Sequence, residues 1–181
     1  DDIEVVFLGR PYTLLSPSMN CGIPGIFTAM GINTYYQDML QYSETEVEGL
    51  LPLLREIHWQ HSATILEVAE VVARKKGIYP VYISSFKCSP DSFTLDYFKA
   101  IMARHNKPFL ILELDEHDSS VGYETRIEAA VRAFRNHHNT FEKRIAGSIV
   151  RTIPAVEKEI GDKDIILPNW DRINCTFLTA T

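Results

Sequence analysis

Two runs decide the fold: IEVVFLG at residues 3–9 and YPVYIS at residues 79–84. Each is a continuous apolar stretch rich in β-branched and aromatic side chains, not an alternating one. A strand with both faces buried reads this way, and it needs a sheet with helices packed on each side. Three further runs complete the set: NTYYQ at 33–37, PFLILELD at 108–115 and DIILP at 164–168. Helical patterns lie between them, near 21–31, 45–76 (as two helices), 92–105 and 121–136. Strands alternating with helices predict an α/β, doubly wound, mainly parallel sheet of the flavodoxin/Rossmann-like kind, with strand order 2-1-3-4-5.

The chain has 181 residues, 45% hydrophobic and 23% charged, which favours one α/β domain with a full core over two small ones. Residues 137–163, HHNTFEKRIAGSIVRTIPAVEKEIGDK, are charged and interrupted by Gly and Pro. They read as a connecting insertion of one or two short surface helices. The start DDIEVV and the strand-then-helix pattern breaking off at the end read as a segment of a longer protein. Net charge is −6, and no basic block exceeds the RKK at 74–76, so the electrostatic footprint of a nucleic-acid binder is missing. No apolar run approaches the ~20 residues of a membrane span. Cys21, Cys88 and Cys175 share no short spacing, and an odd count without a signal peptide points to a reducing, cytoplasmic setting.

In WQHSATILEVAEVVARKKG, residues 59–77, Ile65, Leu66, Ala69, Val72 and Ala73 recur at helical spacing. Lys75 and Lys76 suit the negative end of the helix dipole, and Gly77 is expected to stop the helix. This reads as a packing helix without chemistry of its own.

Open α/β sheets bind ligands outside the carboxyl ends of their strands. The residues that follow the strands are therefore the candidates: Arg10 and Tyr12 after the first, Cys88, Asp91 and Ser92 after the third. Glu113, Asp115, Glu116 and His117 belong to the fourth, and Asn169 to the fifth. SPDSF at 89–93 reads as a helix start, so Cys88 precedes a helix N-terminus and has Lys87 beside it, both of which favour thiolate. The bland alternative is a small residue filling a tight turn. A nucleophile would need a base, for which His117 is the candidate. Asp115, Glu116 and His117 read equally as a divalent-cation cluster or as a solvated loop capping the next helix. LGRPY is no phosphate loop, having one glycine and no Gly-Lys-Ser/Thr, and no nucleotide signature occurs elsewhere. Arg10 could still bind an anion there. HWQH at 58–61 lacks the further ligands of a zinc motif.

Taken in order, FLGRPY, GIP, MGI, QDML, ILEVAEVVA, YPVYISSFKCSPDSF, KPFLILELDEH and GYETRIEA resemble one family. It comprises the large anaerobic-bacterial activators of 2-hydroxyacyl-CoA dehydratases, the CoA-substrate-specific enzyme activases, in their dehydratase-subunit-like region. The resemblance runs from about Val5 to about Phe134 and resumes near Ile165. It implies a parent protein with an ATPase module, flavodoxin-like domains holding a [4Fe-4S] cluster through cysteines, and a CoA-thioester dehydratase or reductase as electron acceptor. By position, Phe86, Cys88, Pro90, Asp91, Ser92 and Phe93 match one family motif, Asp115 to His117 a second, and Gly9 to Tyr12 a third. Cys88 is then the expected cluster ligand, with Cys21 and Cys175 as lesser candidates and further ligands supplied from outside the chain. Three functions stay open: a module contributing to an iron–sulfur electron-transfer site, a non-redox module recognising an acyl-CoA or a protein, and a Cys88–His117 hydrolase. Independent enzymatic activity is not expected of the chain by itself.

Overall fold

The computed structural model describes residues 3–85, 89–114 and 120–146. Four strands, β1 (Glu4–Gly9), β2 (Asn33–Tyr36), β3 (Ile78–Ser85) and β4 (Leu110–Leu114), form one parallel sheet in the order β2-β1-β3-β4. This is the expected order for the first four strands. The run at 164–168 lies outside the described residues. Seven helices accompany the described strands: α1 (Pro11–Leu15), α2 (Ile23–Ala29), α3 (Glu44–Val47), α4 (Leu51–Glu56), α5 (Gln60–Arg74), α6 (Ser89–Arg104) and α7 (Ser120–Ala146).

The sheet divides the core in two, and β1 shows why its sequence does not alternate. Val5 and Phe7 face one side, joined by Ile23 and Phe27 of α2 and by Tyr123, Ile127, Val131 and Phe134 of α7. Val6 and Leu8 face the other, against Ile65, Leu66, Ala69 and Val72 of α5 and Phe98, Ile101 and Met102 of α6. The fold is thus α/β and doubly wound, of the flavodoxin/Rossmann type. The four α7 anchors recur every three or four residues, one helical stripe, and burying each stabilises the fold by roughly 1.5–3 kcal/mol. Phe134 stacks on Tyr79 with ring centroids 4.6 Å apart.

Several boundaries differ from the sequence reading. Segment 45–76 holds α3, a 3-10 turn, α4 and α5, because Pro52 starts α4 and the extended residues Ile57 and Trp59 separate it from α5. α5 ends at Arg74, and Lys75 is already extended, so Gly77, at φ 75°, turns the chain into β3 after the helix has stopped. The helix expected to end near 136 continues to Ala146, since neither glycine nor proline occurs between 136 and Gly147. Residues 137–146 therefore belong to α7, and the rest of the expected insertion lies outside the described residues. The short helix α1 was not anticipated. Among the described residues, no helix is long and apolar enough to cross a membrane.

Candidate functional site at the carboxyl edge of the sheet

β1 ends on Gly9, whose N–H donates to Gln37 Oε1 at 3.1 Å. Gln37 is buried and comes directly after β2; the sequence reading placed it inside the strand run at 33–37, so the rule that collects residues behind each strand passed over it. The next residue, Arg10, is extended, and its carbonyl accepts from Thr13 and Leu14 to start α1. Pro11 takes the first helical position, where no N–H is needed.

This turn aims the Arg10 side chain across the edge of the sheet. Its Nε donates to Asp91 Oδ1 at 2.8 Å, and its Nη1 donates to Tyr12 Oη at 2.8 Å. The Asp91 side chain is 7% exposed, and its second oxygen accepts from the Ser85 N–H at a long 3.4 Å. Asp91 stands in the first turn of α6 and ties that turn to the end of β3 and to the residue after β1. Thr94 adds a second tie, donating to Pro90 O at 2.8 Å and lying 2.7 Å from Ser62 Oγ of α5. Both ends of the Ser85-to-Ser89 connection are therefore anchored.

Of the expected site residues, the structure brings Arg10, Tyr12 and Asp91 into one hydrogen-bonded group. Ser92 is exposed in the same turn of α6. Cys21 is exposed, at φ 52°, just ahead of α2. Its turn is held by Asn20, which donates to Leu14 O at 2.8 Å and accepts from Gly22 N at 3.0 Å. Cys88, Asp115, Glu116, His117 and Cys175 lie outside the described residues, as does Asn169. Among the described residues no three His, Cys, Asp or Glu side chains converge on a metal-binding position. The described donors thus do not fit an iron–sulfur cluster by themselves.

Two exposed apolar surfaces flank the Arg10–Asp91 pair in the fold. On the α1 side, Pro11, Tyr12, Leu15, Ser16 and Met19 line a shallow, largely apolar groove of about 530 Å³. At the start of α5 and α6, Trp59, Phe93 and Tyr97 make an edge-to-face chain, with centroids 5.9 and 4.9 Å apart. The arrangement can hold a charged group at Arg10 while an apolar part lies along α1. Comparison of the chain with protein-family models, curated proteins and solved structures returned no match.

Proposed function

We propose that this chain is a domain of a 2-hydroxyacyl-CoA dehydratase activator system. It contributes Cys88 to an iron–sulfur site shared with other parts of that system, including its ATPase module. The observation that supports this reading is Asp91 bridging Ser85 and Arg10, which anchors both ends of the connection containing Cys88. Cys88 immediately precedes α6, a helix of 16 residues, whose N-terminal N–H groups favour a thiolate at that position. A [4Fe-4S] cluster takes four cysteine thiolates and the chain has three cysteines in all, so it contributes to such a site and does not enclose it. Bound there, the cluster would carry the electron; the chain's own part is to present a thiolate and keep it ionised.

Two measurements test this. Thiol alkylation followed by peptide mass mapping should give Cys88 an apparent pKa below the ordinary ~8.5. Arg10→Ala should raise it, because the Asp91 carboxylate loses its cation. Anaerobic reconstitution with iron and sulfide, in the longer protein that supplies the remaining ligands, should produce a charge-transfer absorption that Cys88→Ser abolishes. An ordinary Cys88 pKa together with an unchanged absorption in Cys88→Ser removes the residue from the site.

The groove beside Arg10 favours a second reading, a non-redox module that recognises an acyl-CoA or a protein partner. Calorimetry with a CoA thioester should then show saturable binding, weakened about 10-fold or more in Arg10→Ala for the loss of one charge-assisted hydrogen bond. Heats of dilution alone, in both proteins, would sink the ligand version.

A further inference from the structure

The opposite edge of the sheet, where α5 and α6 end, carries a cluster with no part in the site above. Glu70 of α5 is fully buried, with its side chain 1% exposed. It collects three cationic or basic groups. Arg74, one turn on, approaches Oε1 through Nε at 2.8 Å and Nη2 at 2.7 Å. Arg104 of α6 donates to Oε2, and His105 Nε2 lies 3.1 Å from Oε1. Burial pushes the Glu70 carboxyl up, but hydrogen bonds from Arg74 and His105 and the Arg104 charge outweigh it, so the group stays ionised.

One carboxylate thus serves two guanidinium groups; Glu46 of α3 also feels the Lys75 and Arg74 charges, and the cations gathered here outnumber the two acids. Each arginine side chain remains about half exposed, 49% for Arg74 and 51% for Arg104. Among the described residues, Glu70 is the only acceptor within hydrogen-bond reach of either guanidinium. Each guanidinium has five N–H donors, so several on each point away from Glu70. Lys75 and Lys76 follow Arg74 directly. Lys107 lies close by, its Nζ 2.5 Å from the Lys75 carbonyl. A chain of net charge −6 therefore concentrates Arg74, Lys75, Lys76, Arg104 and Lys107 at one end.

Cations at helix C-termini complement the dipole, which accounts for their presence there. It does not account for two arginines converging on one buried carboxylate. That convergence holds both guanidiniums in place before any ligand arrives, so little side-chain entropy remains to be lost on binding. Planar donors on two helices, both held on the carboxylate that His105 also contacts, present N–H groups in several directions. Donors from two separate helices can reach more than two oxygens at once, which a phosphoryl group offers and a single carboxylate does not.

We propose that Arg74 and Arg104, held by Glu70 across the ends of α5 and α6, form a binding site for a phosphoryl group. The group is either free inorganic phosphate or the phosphate of a larger ligand.

The test is calorimetric titration of the full chain with inorganic phosphate, pyrophosphate and malonate at constant ionic strength. Saturable binding of phosphate or pyrophosphate is expected, with malonate at least 10-fold weaker. Arg74→Gln and Arg104→Gln should each weaken the phosphoryl ligand about 10-fold or more, and the double variant should lose it. Arg55→Gln, on α4 ahead of the other end of α5, should leave it unchanged. Circular dichroism and melting without ligand confirm that the variants fold, since each single variant leaves Glu70 one arginine and His105. Tighter pyrophosphate than phosphate binding points to a phosphate carried on a larger ligand, and the reverse to the free ion. Absence of saturable binding, equal affinity for malonate, or binding retained in the double variant overturns the proposal.

Discussion

Gly9→Ala should destabilise the fold by roughly 3–5 kcal/mol, enough to leave a marginally stable domain of this size largely unfolded at 37 °C. Gly9 pairs with Ile83 in the parallel ladder between β1 and β3. A Cβ built on it would stand 2.4 Å from the Ile83 carbonyl oxygen and 3.2 Å from Leu14 Cδ2. The oxygen belongs to the backbone of the central strand pair and cannot step aside as a side-chain tip can. Gly9 also has φ 153°, a conformation that costs L-residues about 1–3 kcal/mol, and overpacking adds a similar amount. Urea denaturation of the full chain checks the loss. The same substitution should disturb the carboxyl edge before the chain unfolds, because Gly9 donates to Gln37 and leads directly into Arg10. A loss below about 1 kcal/mol would mean that the two strands separate at this point more easily than their register implies.

Stability should rise between about pH 8 and pH 10, and Lys107→Met should abolish that rise. Lys107 is 6% exposed, and no carboxylate pairs with it among the described residues. Its Nζ donates to the Lys75 carbonyl and lies 4.5 Å from the centre of the Tyr79 ring. Burial lowers its pKa from 10.5 to about 8. Below pH 8 the ammonium is charged in both folded and unfolded chains, and the folded state carries the whole desolvation cost. Between 8 and 10.5 the folded chain has released the proton while the unfolded chain still holds it, so stability climbs with pH. At ~1.36 kcal/mol per pH unit the climb amounts to ~3 kcal/mol. Methionine keeps much of the length and removes the charge. Against that gain, it gives up a cation–π contact of about 0.5–2 kcal/mol and a hydrogen bond of about 1 kcal/mol. Lys107→Met should therefore be as stable as the parent or up to ~1.5 kcal/mol more stable at pH 7, with a flat profile from pH 8 to 10. Tyr79 and Tyr42, raised to about 12 in the folded chain chiefly by burial, ionise near pH 10 only when the chain is unfolded, so they oppose the rise above that pH.

A second signal should accompany the flat profile. The His137 ring sits 2.9 Å from Tyr79 Oη, and its pKa is lowered by burial first and by the Lys107 and His138 charges after that. Losing the Lys107 charge should move the His137 titration partway back up, as followed by NMR of the imidazole protons. An unmoved His137 with an unchanged stability profile would show that Lys107 is solvated in a way its burial does not suggest.

What could be read in advance follows from the range of the interactions. The runs at 3–9 and 79–84 identified buried parallel strands because burial on both faces removes polar residues from consecutive positions. That constraint is written into adjacent residues. The stripe of Ile65, Leu66, Ala69, Val72 and Ala73 identified the inward face of α5 for the same reason. Arg10 and Asp91 each stood out as residues following a strand. That they bind each other did not, because 81 residues separate them and only the neighbouring positions of β1 and β3 bring them together.

Glu70 carries a sharper version of the same lesson. In sequence it is one polar residue in a packing helix, and the Glu70–Arg74 spacing of four residues was the only local hint of an ion pair. Its burial, and the arrival of Arg104 and His105 from 34 and 35 residues away, depend on α5 packing beside α6. Lys107 gave no local signal at all, since a lysine before a strand is ordinarily solvated, and here it is covered by Tyr79 and the end of α5. Hydrophobic periodicity is local, so neighbouring residues were enough to read the strands, the helices and the layers, whereas the strand order could be chosen only by likeness to a known arrangement. Tertiary structure alone decided which charges meet and which are buried, because desolvation and ion pairing act through space between segments that the chain keeps far apart.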